Sequence, residues 1–192
     1  MTLSRRHFFR AAGAATLGFS GLERLFRPGG PAGRLLAAVP DGFGPLVPDP
    51  DGLLDLPEGF RYTVFSRGGQ RMDDGFLVPA RHDGMAAFPG PGGRTLLVRN
   101  HELNARDGPE LGPFGPSNEL VGRLPARLVF DAGVDPGAPA LGGTTTLLFD
   151  TGEQRLVEHR LSLTGTLRNC AGGPTPWGSW LSCEESVHTA DR

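Results

Sequence analysis

Arg168-Asn169-Cys170-Ala171-Gly172-Gly173-Pro174-Thr175-Pro176-Trp177-Gly178-Ser179-Trp180-Leu181-Ser182-Cys183-Glu184-Glu185 starts with a thiol on a glycine-rich turn and ends with two adjacent carboxylates. Between those ends the residues read as a turn followed by a strand. Folded back as a hairpin, the segment brings its first and last residues together. A thiolate and a carboxylate set side by side by backbone pairing form a corner for a metal ion. Glycine and proline bend the chain there and leave little side-chain bulk near an ion.

A second segment has the same outline. Gly84-Met85-Ala86-Ala87-Phe88 and Thr95-Leu96-Leu97-Val98-Arg99 flank Pro89-Gly90-Pro91-Gly92-Gly93, which predicts a hairpin. It begins at His82-Asp83-Gly84 and returns to Asn100-His101-Glu102, so Asp83 comes close to Glu102 at the open end. Oxygen ligands favour Ca²⁺ or Mg²⁺, whereas a thiolate favours a softer or more highly charged transition ion. Plainer readings stand beside this one: Asp83 capping backbone N–H groups in a turn, and Asn-His-Glu as a solvated strand end. If the two hairpins are equivalent pieces of one repeated unit, both ligand pairs face the same rim.

Between the hairpins, Thr144-Thr145-Thr146-Leu147-Leu148-Phe149 and the long run Arg155 to Leu163 read as strands joined by the tight turn Asp150-Thr151-Gly152-Glu153. Phe60 to Ser66 alternates apolar and polar as a half-buried strand does, and Arg127-Leu128-Val129-Phe130 reads as another strand. Residues 103–125 form a polar, proline-rich excursion. Gly142-Gly143-Thr144 superficially resembles a phosphate loop, but no helical pattern follows, so it reads as the start of a strand. Trp177 and Trp180 read as packing residues, and His159 and His188 as structural. No helical period stands out beyond the N-terminus. The class is all-β, and four short antiparallel strands followed by a repeat is the rhythm of a β-propeller blade. Only part of a propeller can be drawn, so the chain reads as an N-terminal portion of one.

The 192 residues suffice for one domain or slightly more, and 30 glycines with 18 prolines fit a loop-rich β protein. A net charge of −2 offers no electrostatic case for nucleic acid as a partner. Ser4-Arg5-Arg6-His7-Phe8-Phe9-Arg10 is a twin-arginine pattern, followed by a mild apolar run from Ala11 to Phe19. That run is too short to be a permanent membrane span. The organisation expected is a signal peptide over 1–38, with Leu36-Ala37-Ala38 as a cleavage region, a linker over 39–54 and the β domain over 55–192. The expected location is periplasmic or secreted, with the twin-arginine translocon as partner during export. Export invites a Cys170–Cys183 disulfide, but a protein folded before export first meets a reducing cytosol. Cys183 by itself reads as a small buried residue on a strand.

Taken together, Ser4-Arg5-Arg6, His82-Asp83-Gly84-Met85, Asn100-His101-Glu102, Gly142-Gly143-Thr144-Thr145, Asn169-Cys170-Ala171-Gly172-Gly173, Thr175-Pro176-Trp177-Gly178 and Cys183-Glu184-Glu185 resemble the PhoX family of bacterial alkaline phosphatases. The resemblance covers roughly residues 55 to 187 plus the export signal. It implies a β-propeller exported by the twin-arginine route, with iron and calcium at the mouth of the central channel, hydrolysing phosphate esters. It implies Cys170 as an iron ligand, together with a glutamate of the terminal pair, Glu185 ahead of Glu184. Asp83 and Glu102 carry over toward the cluster or the layer around it. Further carboxylate ligands and basic residues are expected from later blades. The alternative is a non-catalytic propeller that binds ligands or partners on its rim.

Overall fold

The structure is a computed structural model that describes residues 42–132 and 137–186. Arg5 and Arg6, the 1–38 signal, the cleavage region and His188 lie outside the described residues. The chain divides into two compact units, one up to Tyr62 and one from Thr63 onward.

In the first unit, β1 (Leu46–Val47) pairs antiparallel with β2 (Leu56–Pro57). Asp49 organises the loop between them. Its carboxylate accepts from the backbone N–H groups of Asp51, Leu53 and Leu54 and from the Tyr62 hydroxyl at 2.6 Å. Those donors, the tyrosine first, hold the Asp49 carboxyl down at about 2.

The second unit is built on four antiparallel strands in sequential order: β3 (His82–Pro89), β4 (Thr95–His101), β5 (Gly142–Asp150) and β6 (Arg155–Thr166). Local chemistry sets each turn. Between β3 and β4, Gly92 and Gly93 take φ values of 66° and 76°, a left-handed region that suits glycine. Between β5 and β6, Asp150 Oδ1 accepts from the N–H groups of Gly152 and Glu153, an Asx turn. A second sheet follows, β7 (Asn169–Pro174) paired with β8 (Trp180–Glu184), and β7 lies alongside β3.

Met72, Phe76, Val78, Leu103, Phe114, Leu141 and Leu161 form the core, with Leu111, Leu120, Val121 and Leu124 packed against it. Much of it comes from the proline-rich excursion, which folds as loop and short 3₁₀ turns at Pro109–Leu111 and Val121–Arg123. Strand β6 completes the core through Leu161, and Asp74 Oδ2 accepts the Leu161 N–H at 2.7 Å.

The all-β expectation is met: the described residues carry strands and 3₁₀ turns but no α-helix. Both hairpins, the β5 and β6 strands and the 150–153 turn form where the sequence predicts them. Gly142 and Gly143 do begin a strand. Among the described residues there are one four-stranded and two two-stranded sheets, and no closed ring of blades.

Several expectations need correction. Phe60 to Ser66 forms no strand. Its alternation is real, but alternation supplies no pairing partner, and Phe65 and Ser66 meet the sheet only through side chains, on Phe149 and Arg99. Ala126–Leu128 is a 3₁₀ turn closed onto the Pro125 carbonyl, and Val129 makes only an isolated parallel bridge to Thr164. Trp177 is 80% exposed at the tip of the β7–β8 hairpin. Both cysteines are free, and Cys183 is exposed rather than buried.

Candidate metal centre

The two hairpins open in the same way, and this similarity builds the site. In β3–β4, His82 faces His101 and Met85 faces Arg99, so Asp83 and Gly84 share the single partner Asn100. In β7–β8, Asn169 faces Glu184 and Gly172 faces Ser182, so Cys170 and Ala171 share Cys183. Each is a β-bulge placed one residue into the hairpin, and bulges re-aim side chains. The residues just before, Arg81 and Arg168, adopt φ values of 49° and 54°. The Arg81 carbonyl accepts from Glu102 N–H, and the Arg168 carbonyl accepts from Glu185 N–H, each at 2.9 Å. Asp83 and Glu102 therefore hold the same places in the first hairpin that Cys170 and Glu185 hold in the second.

Close backbone approach joins the two openings. A Cβ on Gly84 would lie 2.5 Å from the Cys170 carbonyl oxygen, so only glycine admits β7 at this distance. Arg168 N–H donates to the Leu103 carbonyl at 2.8 Å, fixing the second hairpin just past Glu102.

Asp83, Glu102 and Cys170 consequently present ligand atoms that all lie within 4.8 Å of one another, each side chain half-buried. Glu185 adjoins this group and hydrogen-bonds the Cys170 thiol. Partial burial first, then the negative charges of Asp83 and Glu185, push the Cys170 thiol up to about 11. The Arg168 guanidinium stands between the glutamates, 3.4 Å from Glu102 Oε1 and 3.1 Å from Glu185 Oε2. Glu184 is turned elsewhere: its Oε1 accepts the Leu167 N–H at 2.6 Å. Glu184 is the last residue of β8 and Glu185 lies just past it, and their carboxylates take different partners.

The histidines stand apart from the acids. His101 is fully buried, with Nδ1 3.0 Å from the Ala80 carbonyl and Nε2 2.9 Å from Thr145 Oγ1. A carbonyl only accepts, so Nδ1 carries the proton and Nε2 accepts from the hydroxyl. Burial pushes its imidazole down to about 3, leaving a neutral ring with both nitrogens engaged. His82 packs edge-on against it, ring centres 5.2 Å apart. His159 is likewise buried, and its backbone N–H donates to Asp73 Oδ2 at 2.7 Å.

The family model described as alkaline phosphatase PhoX matches residues 41–148 and 137–191. The chain belongs to the PhoX family. No curated protein and no solved structure matches it. PhoX membership places the chain with phosphoric-ester hydrolases. Within this PhoX chain, no helix of the described residues is long and apolar enough to cross a membrane.

Sequence reasoning passed over Asn100, Arg168 and Gly84 as site residues. Asn100 stood within the Asn-His-Glu motif, but a sheet interior cannot be told from a strand end by residue type. The partners of Arg168 become visible only once the hairpins meet.

Proposed function

We propose that this chain is an exported, metal-dependent phosphatase acting on phosphate esters. Asp83, Glu102, Cys170 and Glu185 would be its contribution to a centre of iron and calcium. The observation that carries this reading is the meeting of a thiol and two carboxylates, from two separate hairpins, within 4.8 Å. Without a cation, partial burial and then the negative charges of Asp83 and Glu185 keep the Cys170 thiol protonated. Holding a multivalent ion there would take Cys170 as its thiolate, with the thiol proton released to solvent.

The donor set fits such ions. Cys170 with Glu185 offers a thiolate and a carboxylate suited to iron, and Asp83 with Glu102 offers oxygens suited to calcium. When bound, the ions neutralise phosphate oxygens and activate the attacking water. The chain's residues hold that arrangement open: the bulges aim the ligands, Gly84 keeps the approach free of side-chain bulk, and Arg168 offsets part of the charge on Glu102 and Glu185.

We read β3–β6 as a propeller blade and β7–β8 as the start of the next, with β3 and β7 as neighbouring inner strands. Arg5 and Arg6 direct export through the twin-arginine translocon to the periplasm or beyond it. Purified full-length protein is expected to hydrolyse a chromogenic phosphate monoester, to lose that activity on chelation and to regain it with iron and calcium together. Hydrolysis that survives exhaustive chelation contradicts the reading. Metal binding without any hydrolysis would favour a non-catalytic propeller instead.

A further inference from the structure

We propose that Asn100 is a positioning residue that sets where the Cys170 sulfur sits, acting through backbone carbonyls without touching an ion. The inference rests on the metal-site reading above. Asn100 lies on β4 with no solvent exposure, and its side chain crosses to both strands of the second hairpin. Its Nδ2 donates to the Cys170 carbonyl at 2.9 Å and the Ala171 carbonyl at 3.0 Å. Its Oδ1 accepts from Trp180 Nε1 and from Ser182 Oγ, both at 2.9 Å. A primary amide offers two N–H donors and one oxygen with two lone pairs, so every valence is used.

The two carbonyls it grips are those of the β7 bulge. A bulge leaves an extra residue without a ladder partner, so its backbone is the part of the hairpin freest to shift. Asn100 supplies the missing donors from another sheet and orients them with β8 through Trp180 and Ser182. With the Cys170 carbonyl held between this amide and Gly84, rotation about χ1 is the main freedom left to the sulfur. Asn100 is itself the residue opposite the Asp83–Gly84 bulge. One side chain thus ties the thiolate half of the centre to the oxygen half.

The test is Asn100→Asp in the full-length protein. The carboxylate is isosteric and still accepts from Trp180 and Ser182, but it cannot donate to the carbonyls. Two readouts are taken. The first is the thiolate-to-iron charge-transfer band and the iron affinity. The second is the alkylation rate of Cys170 in metal-free protein, in a Cys183→Ser background that removes the exposed second thiol. The expected result is a displaced band, iron bound about 10–100-fold more weakly, and alkylation several-fold faster, with a cooperative thermal transition retained. If Asn100→Asp does not fold, a double Trp180→Phe and Ser182→Ala variant frees the amide to rotate and should move both readouts in the same direction by less. A folded variant with band and alkylation rate unchanged overturns the inference. A wild-type protein with no iron band would count against the metal reading, and the alkylation arm would still decide the role of Asn100.

Discussion

At the scale of single residues, the candidate ligands were legible because their chemistry is intrinsic. A thiol beside small residues and carboxylates at a hairpin end announce themselves by type and spacing, as Cys170, Asp83, Glu102 and Glu185 did. Roles set by burial were not legible. His101 stood between Asn100 and Glu102 with nothing to mark it as neutral and enclosed. Its folded imidazole sits at about 3, below the ordinary value near 6.5. Between those values the unfolded chain binds the extra proton, so His101 lowers stability as pH falls through 6.5 toward 3. Against a His101→Gln variant, the wild-type stability advantage in urea unfolding should shrink as pH drops from 7 to 5. An advantage independent of pH would show that the ring is not held neutral.

At the scale of elements, turn chemistry was the dependable signal. Glycine at positive φ and an Asx turn fix both long hairpin connections without help from distant residues. The Phe60–Ser66 alternation failed because a strand also needs a partner edge. The Arg127–Phe130 run failed because Pro125 set up a 3₁₀ turn. Bulges are invisible to alternation, since one inserted residue reverses the faces of all that follow. The likeness of the two hairpins was nevertheless readable as acids returning beside glycine, and the structure gives it a common form in the paired bulges and in Arg81 and Arg168. Docking of the hairpins depends on Gly84. Gly84→Ala drives a methyl group against the Cys170 carbonyl oxygen and should destabilise the protein by about 1–3 kcal/mol, measured by denaturant unfolding. A cost near zero would mean that β7 does not rest against β3 as described.

At the scale of the whole molecule, the all-β class was legible from punctuation and alternation. The core was not: the proline-rich excursion looked like surface, yet it supplies Phe114, Leu111, Leu120 and Leu124 to the packed interior. Apolar residues scattered among prolines have no period to detect, and only the fold gathers them. The charge arrangement is likewise a property of the assembled unit, since Asp83 of β3, the Cys170 thiol of β7, and Glu102 and Glu185 just past the ends of β4 and β8 converge with Arg168 as their nearby counter-charge. The account stands on that convergence holding a cation through sulfur. The most direct measurement is metal content with the visible spectrum of purified full-length protein, compared with Cys170→Ser. The account predicts a violet wild type containing iron and a colourless variant that has lost most of it. Iron content and spectrum unaltered by the substitution would contradict it.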